Sequence, residues 1–305
     1  MSYTKFQNLN LSDDFLFAKV MEDETVLRPV VEKILGIRIR EMTIVQSQRM
    51  IEIEPDSKGI RLDIMADDVE GSRYSIEMQN ENEYNIGKRS RYYHSMMDLD
   101  LIAKGEEYQR LKKSIVIFIC TVQPFEQSGR HRYVFEKRCI QETELALNDG
   151  VTTVILSARG EKDDIDPEMR AFLRYLENSS DEVAEGSGSE LVRRIHAKVC
   201  AVKQNRVREA EYMKLLERDR ENQEKGRREG RAEGLRQGEL LKTIQITRSV
   251  IQQGKPLDIL IQIAEEDTWM IETIAGLIRK NGKLTDEEIL AQISGSETTL
   301  QKSSR

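Results

Sequence analysis

The pattern of apolar and polar positions near the start of the chain predicts a helical segment followed by three strands. Apolar residues at helical spacing follow Ser12, which we expect to cap the segment, and end at Gly36. Residues 37–50 then alternate between polar and apolar, as in a strand. Residues 61–67 and 74–80 alternate in the same way on either side of a polar, glycine-containing turn, which predicts a β-hairpin.

The next part of the chain predicts a helix and then a buried strand. Residues 84–104 place apolar side chains on one helical face. Residues 115–120 form a continuous apolar run, which is typical of a strand buried on both faces. Further strands are predicted at 133–140 and 151–156, and a short helix at 167–176. The residues therefore predict the order α-β-β-β-α-β, with more strands and helices after it.

The predicted hairpin brings two acidic residues to one face of the sheet. If it turns near Glu70, antiparallel pairing sets Asp63 opposite Glu77. Like charges about 5 Å apart across a sheet are destabilising, and a hard divalent cation such as Mg²⁺ would neutralise the pair. Two interpretations stay open at this point: a metal site, or a solvated face on which Arg61 or Arg73 compensates the acids.

Changes in composition divide the chain into five predicted regions. Residues 1–178 form the domain that contains the strands, and residues 179–190, rich in serine, glycine and acid, form a linker. A charged helical connector is predicted for 191–243, a small helical module for 244–293 and a disordered tail for 294–305. The connector contains a glycine at every fourth position: Gly226, Gly230, Gly234 and Gly238. This repeat favours either a weakly helical, flexible connector or a stripe along which another helix approaches closely.

Composition limits the classes of protein to which the chain can belong. A net charge of −7 over 305 residues excludes a uniformly basic protein, so any contact with nucleic acid must come from a local patch. The cysteines and histidines are scattered, which argues against a disulfide framework or a structural zinc site. His196 and Cys200 lie four residues apart, but without two further ligands nearby we interpret them as ordinary helix residues. No apolar run is long enough to span a bilayer and the N-terminus lacks a signal-peptide pattern, so we expect a cytoplasmic protein without a membrane partner.

A series of short motifs follows the chain from Asp13 to about Gly160. It consists of Asp14-Phe15-Leu16-Phe17, Leu62-Asp63-Ile64, Ile76-Glu77-Met78-Gln79, Lys88-Arg89-Ser90-Arg91-Tyr92-Tyr93, Gly105-Glu106-Glu107-Tyr108, Ile117-Phe118-Ile119, Pro124-Phe125 and Asp149-Gly150. In order and separation, these motifs resemble the Rpn-type recombination-promoting nucleases and transposases, a branch of the PD-(D/E)XK nuclease superfamily. The resemblance implies an α/β fold with a restriction-endonuclease-like α-β-β-β-α-β core and a mixed sheet, followed by an all-helical C-terminal extension. The core order agrees with the one that the residues predict by themselves.

The resemblance also implies metal-dependent hydrolysis of DNA phosphodiester bonds. Asp63 and Glu77 would bind one Mg²⁺, with Mn²⁺ as an alternative, and the backbone carbonyl of Met78 would be a further ligand. Gln79 would complete the catalytic set, although the broad superfamily has a lysine at this position. An amide can orient a water molecule but provides no positive charge. We therefore expect an enzyme that relies more heavily on its metal, or a slow one.

Basic residues near the start of the helix after the hairpin are the predicted DNA contacts. Lys88, Arg89 and Arg91 would clamp phosphates beside the metal, or else form a solvated helix start. Lys88 or Lys19 could also replace the charge of the missing lysine. The expected partner is DNA, and a homodimer through the helical C-terminal part would bring two active sites to a duplex. The alternative function is a catalytically inactive nuclease fold that binds DNA or a protein, which the glutamine and the net acidity favour.

Overall fold

The computed structural model describes residues 5–51, 60–81, 85–103, 105–126, 128–258, 260 and 268–293, with the side chains of 46–51 and 60–62 excepted. The chain divides into two compact units, Met1–Met213 and Lys214–Arg305. Within the described residues, the first unit contains a six-stranded sheet with helices and the second is helical.

Two short helices precede the sheet, α1 at Asp14–Met21 and α2 at Glu24–Leu35. The carboxylate of Asp13 caps α1 by accepting hydrogen bonds from two backbone amides, each at 3.1 Å. Ser12, the predicted cap, instead donates its amide to a backbone carbonyl of a later helix at 3.0 Å. Gly36 ends α2 as predicted, in the left-handed conformation (φ 71°) that glycine adopts without strain.

Six strands of the described residues form one mixed sheet. They are β1 Met42–Ile51, β2 Ile60–Asp68, β3 Ser72–Gln79, β4 Lys113–Cys120, β5 Arg132–Phe135 and β6 Val151–Ser157. Their order is β1-β2-β3-β4-β6-β5, with β1, β2 and β3 antiparallel, β4 parallel to β3 and β6, and β5 antiparallel to β6. This arrangement confirms the predicted restriction-endonuclease-like core and its mixed sheet.

Helix α3, Ile86–Leu101, is the crossover that makes β3 and β4 parallel. It covers one face of the sheet and packs against the strands in a buried apolar cluster. The buried residues of this cluster are Met65, Tyr93, Met96, Met97, Val116, Phe118, Cys120 and Ile155. Helices α1 and α2 contact β2 and β1, respectively. Every residue of β3 is buried, because the strand is central and α3 covers it. Alternation of polar and apolar residues, as along β3, is typical of a half-buried strand, but in the structure the polar face of β3 is covered as well.

Three further helices belong to the first unit: α4 at Pro167–Glu177, α5 at Asp181–Gly186 and α6 at Glu190–Gln204. Residues 179–190, for which the sequence predicts a linker, thus contain α5. Ser179 and Ala184 in this stretch are buried, and the Ser179 hydroxyl accepts a 2.7 Å hydrogen bond from the amide of Leu11. Serine-rich composition marks no boundary here, because serine hydroxyls bind backbone groups and cap helices. The first unit continues to Met213.

A helix of 47 residues, α7 at Arg206–Gln252, begins in the first unit and continues into the second. In the first unit, the ring of Tyr212 contacts the rings of Phe6 and Phe15. The stretch 217–239, which carries the glycine repeat, is helical and exposed. A Cβ placed on any of the four glycines would meet no heavy atom of the described structure within 4 Å. The repeat is therefore part of a continuous, solvated helix.

The second unit has a small apolar core between helices. The end of α7, helix α8 at Thr268–Lys280 and the helical residues 286–293 surround it. Its buried residues are Ile244, Ile274, Ile278, Ile289 and Ile293. The predicted tail, 294–305, and residues 259 and 261–267 of the predicted helical module lie outside the described residues. In the part of the chain that the structure describes, no helix combines the length and the apolar character needed to cross a bilayer.

Candidate active site

The β2-β3 hairpin sets two carboxylates opposite each other. Its register pairs Ile64 with Ile76, and the same register carried one residue further sets Asp63 opposite Glu77. The amide of Asp63 donates to Glu77 Oε1 at 3.4 Å, and the amide of Met78 donates to Asp63 Oδ2 at 2.9 Å. The two acids therefore face each other, as the hairpin pattern predicts.

Glu77 lies in the interior of the sheet, with only 2% of its surface exposed. The hydroxyl of Ser75 donates to its Oε1 at 2.6 Å. Burial, and after it the negative charge of Asp63, raises the pKa of Glu77 well above the ordinary value of 4.5. The Ser75 hydroxyl, the Asp63 amide and the positive charge of Arg89 oppose this rise. A cation held by both carboxylates would remove their repulsion and favour the charged form of Glu77.

The carboxylates open into a polar cleft of about 390 Å³. The described residues that line it are Asp14, Asp63, Glu77, Met78, Gln79, Asn80, Glu81, Arg89 and Tyr93. They come from the first turn of α1, from β2, from β3 and the residues after it, and from α3. The fold thus brings four separate segments of the chain to one end of the hairpin.

Both polar ends of the Gln79 side chain are engaged within the protein. Its Oε1 accepts a hydrogen bond from the Arg89 guanidinium, and its Nε2 donates to the backbone carbonyl of Glu81. The same guanidinium donates to the Tyr93 hydroxyl at 3.1 Å and lies 5.6 Å from the centroid of the Phe118 ring. Arg89 thus brings a positive charge into the cleft, where its hydrogen bond to Gln79 holds it.

Asp14 is a further cleft acid, to which the sequence alone assigned no role. Asn80, directly after β3, donates to the carbonyl of Ser12 at 2.6 Å and to Asp14 Oδ1 at 3.3 Å. The side-chain oxygen Oδ1 of Asn80 accepts a hydrogen bond from the Thr121 hydroxyl at 3.0 Å. These contacts tie the start of α1 to the ends of β3 and β4. The signal for Asp14 was the motif that begins with it, but that motif does not show which residues it meets.

The basic residues predicted to act beside the metal occupy different places. Arg89 lines the cleft, whereas Lys88 and Arg91 are exposed on α3. Neighbouring helix positions differ by about 100° in direction, so these three side chains cannot all face one site. Lys19 pairs with two glutamates, at 2.9 and 3.7 Å. Of these four residues, Arg89 is the one that the fold brings to the carboxylates.

Arg73 has its partners near the turn of the hairpin. Its Nε lies 2.7 Å from Asp67 Oδ1, and its Nη1 lies 2.7 Å from Asp100 Oδ2. The interpretation in which Arg73 compensates the two cleft carboxylates is therefore wrong. The side chain of Arg61, the other residue in that interpretation, lies outside the described part of the structure.

The donor set of the cleft fits a hard divalent cation. Two carboxylates face each other, and one of them is almost fully buried with a raised pKa. Carboxylate oxygens are the ligands that Mg²⁺ and Mn²⁺ prefer. Asp63 and Glu77 are therefore the residues that would hold such an ion.

A mixed sheet flanked by helices, with paired carboxylates on two neighbouring strands, is the arrangement of the restriction-endonuclease-like nucleases. A family model described as PD-(D/E)XK nuclease family transposase matches residues 12–229. The match covers more than half of the 305 residues, and the chain belongs to this family. Membership implies a nuclease or transposase that acts on DNA, in a class that generally uses divalent metal ions. No curated protein and no solved structure matches the chain significantly.

Proposed function

We propose that the protein is a metal-dependent DNA endonuclease of the transposase and recombination-promoting type. Mg²⁺ is the proposed ion, with Mn²⁺ as a substitute. Asp63 and Glu77 are its proposed ligands, with the backbone carbonyl of Met78 as a further one. The observation that carries the proposal is the position of Glu77, a buried carboxylate. Its pKa is raised by burial and by the like negative charge of Asp63, which lies across the hairpin. Such a pair gains more from a bound cation than exposed carboxylates do.

The protein's own residues prepare the site for hydrolysis. When bound, a divalent ion polarises the scissile phosphate and lowers the pKa of a coordinated water molecule. The register of β2 and β3 holds Asp63 and Glu77 opposite each other, and Ser75 fixes one carboxylate oxygen of Glu77. Helix α3 covers this face of the sheet and limits the access of water. Charges held in such a low-dielectric site interact more strongly than they do in water.

Arg89 is the proposed source of positive charge beside the scissile phosphate. A guanidinium binds phosphate oxygens through paired N–H donors and stays charged at all relevant pH values. Gln79 accepts a hydrogen bond from Arg89 and so positions it. Lys88 and Arg91, which are exposed on the same helix, are the proposed contacts to neighbouring phosphates. Contacts of this kind fix the position of DNA without reading its sequence.

Cleavage of supercoiled plasmid DNA in the presence of Mg²⁺ tests the proposal. We expect the unaltered protein to nick or linearise the plasmid, and EDTA to stop the reaction. Asp63→Asn should abolish cleavage. Glu70→Gln is the matched control, because it removes a carboxylate from the exposed turn of the same hairpin, and it should leave the rate unchanged. Equal cleavage by the Asp63→Asn and unaltered proteins would overturn the proposed site.

A catalytically inactive nuclease fold that binds DNA or a protein partner is the second candidate. The observation that favours it is Gln79, which brings no charge and whose two polar atoms are both hydrogen-bonded within the protein. This candidate predicts DNA binding that neither EDTA nor Glu77→Gln affects. It also predicts that titration calorimetry with Mg²⁺ or Mn²⁺ detects no heat that depends on Asp63.

A homodimer through the helical C-terminal part stays a prediction, and so does a cytoplasmic location. Cutting both strands of a duplex with one active site per chain usually needs two chains, which is the reason to expect the dimer. Light scattering on the full chain measures the mass directly. A monomeric mass with and without DNA would contradict the dimer.

A further inference from the structure

Asp181, His196 and Cys200 form a second cluster of metal-binding side chains, on the helices that follow the sheet. Their ligand atoms all lie within 4.8 Å of one another. His196 Nε2 is 3.4 Å from Asp181 Oδ1 and 3.5 Å from Cys200 Sγ. These three described residues are not among those that line the carboxylate cleft. We propose that they bind one Zn²⁺ ion, which ties α5 to α6.

Two of the three ligand separations are close to those around one tetrahedral zinc ion. Zinc bonds are about 2.0 to 2.1 Å long to nitrogen and oxygen and about 2.3 Å to sulfur, so tetrahedral geometry places N and O roughly 3.3 Å apart and N and S roughly 3.6 Å apart. The structure has 3.4 Å and 3.5 Å for these two pairs. The ligand atoms of the third pair, Asp181 and Cys200, lie within 4.8 Å of each other, and zinc binding would bring them to the tetrahedral separation.

Helix α6 presents the histidine and the cysteine together. His196 and Cys200 are four residues apart, so they share a face of the helix. The preceding residues, Ile195 and Val199, are buried and anchor this part of α6 in the core of the first unit. Asp181 is the first residue of α5, and α5 contacts α6. From the sequence, His196 and Cys200 are interpreted as ordinary helix residues, and the packing of α5 adds Asp181 as one further candidate ligand beside them.

Tyr175 fixes the orientation of the imidazole. Its hydroxyl oxygen lies 2.8 Å from His196 Nδ1. When Nδ1–H donates to this oxygen, the lone pair of Nε2 faces Asp181 and Cys200, which is the arrangement that metal-ligating histidines have.

The ligand types select the ion. Imidazole, thiolate and carboxylate together suit Zn²⁺, whereas Mg²⁺ prefers oxygen ligands alone. Three protein ligands leave a fourth position for water. The exposed side chain of Asp181 provides the path of entry. Without metal, the same contacts would be a hydrogen-bonded histidine–aspartate pair, and the experiments below separate the two.

The proposed ion would reinforce a short element that supports the nuclease core. Helix α5 has six residues and would gain a metal-mediated link to α6. Ser179, two residues before Asp181, receives the hydrogen bond from Leu11 in the segment that leads into α1. The proposed role of the ion is to link α5 to α6, through residues that are separate from those of the proposed Mg²⁺ site.

Zinc titration of the intact, chelator-treated protein tests the site. Asp63→Ala is present in every sample, so that the cleft cannot account for binding. We expect one zinc per chain. His196→Gln should weaken zinc binding by at least about 100-fold, since the loss of a group that only supports a ligand already costs about 10- to 100-fold. Cys139→Ser is the control at a cysteine outside the cluster and should bind zinc as before. No zinc uptake, or uptake unchanged by His196→Gln, would overturn the proposal.

Alkylation of the unaltered chain adds a measurement that does not depend on a variant folding correctly. Zinc should slow modification of Cys200 by on the order of tenfold or more, because a metal-bound thiolate is a poorer nucleophile. Cys139 is also partly exposed and serves as the internal control, with an unchanged rate. Mass spectrometry follows both cysteines in one sample. Equal Cys200 rates with and without zinc would contradict the site.

Discussion

One face of the β2-β3 hairpin carries acidic side chains at both of its ends, and their pKa values are shifted in opposite directions. Near the turn, Asp67 lies opposite Arg73. Burial by itself would raise the pKa of Asp67, but hydrogen bonds from Arg73 and Lys112 outweigh it and hold the pKa below the ordinary 3.8. At the other end, Asp63 lies opposite Glu77, and the pKa of Glu77 is raised well above 4.5.

The difference shows that the neighbour across the sheet decides what a strand carboxylate does. Asp63 and Asp67 are four residues apart on β2 and point to the same face. An acid opposite arginine forms an ion pair that stabilises the fold. An acid opposite another acid is repelled by it, and a bound cation would remove this repulsion. We therefore assign the turn end of the hairpin to stability and, as proposed, the open end to catalysis.

The largest effect is expected for Glu77→Gln, which removes a proposed metal ligand at the open end of the hairpin. We expect cleavage to fall by at least about 1000-fold, because single groups that stabilise developing charge are already worth about 100- to 1000-fold. The amide also removes a buried charge, so the metal-free variant should unfold at a temperature no lower than that of the unaltered protein. Plasmid cleavage and thermal unfolding measure the two effects. Cleavage retained by this variant would contradict the assignment.

Arg73→Gln should lower the free energy of unfolding, because it removes the ion pairs near the turn of the hairpin. It removes the guanidinium from Asp67 and Asp100, and the loss of one partner of a buried ion pair costs about 3 to 5 kcal/mol of unfolding free energy. Denaturant titration measures this loss. Arg91→Gln, at an exposed position, should change the unfolding free energy by less than about 0.5 kcal/mol. Equal stability of the two variants would show that Arg73 does not support the fold.

Arg89→Gln tests the group that connects the catalytic end with DNA. We expect cleavage to slow by about 10- to 100-fold, the range typical of residues that support a metal centre. The variant should keep its Mg²⁺ affinity, since Arg89 is not a proposed ligand. Single-turnover rates and Mg²⁺ titration separate these effects. Arg91→Gln should weaken DNA binding at low salt with less effect on the rate, and identical behaviour of both variants would contradict a special role for Arg89.

We expect the smallest effect in the pH dependence of the unfolding free energy, measured without metal. The contributions of Glu77, at the open end of the hairpin, and of Asp67, near its turn, should change with pH in opposite directions. The folded pKa of Glu77 is raised, so its contribution is complete below 4.5 and is lost as the pH rises through the raised value. The folded pKa of Asp67 is lowered, so its contribution is present above 3.8 and is lost as the pH falls through the lowered value.

Denaturant unfolding over a pH series measures both contributions. Glu77→Gln should remove the loss of stability toward higher pH, and Asp67→Asn should remove part of the loss toward lower pH. A Glu77→Gln variant with an unchanged pH profile would contradict the raised pKa.

The sequence by itself determined the core order and the opposed acids. Alternation on both sides of a glycine-containing turn specifies a hairpin, and a turn centred near Glu70 is enough to set Asp63 opposite Glu77. The apolar run of β4 likewise identifies a buried central strand. These features depend on residues close together in the chain, so period and turn chemistry are sufficient to predict them.

Only the tertiary structure decided which other groups meet the acids. Arg89 reaches the cleft because α3 crosses the sheet, and Asp14 reaches it because Asn80 ties α1 to β3. The burial of Glu77 follows from the central place of β3 and from the packing of α3, and Asp181 joins its cluster only when α5 folds against α6. Each of these contacts joins residues far apart in the chain, and spacing along the sequence does not specify how separate elements pack.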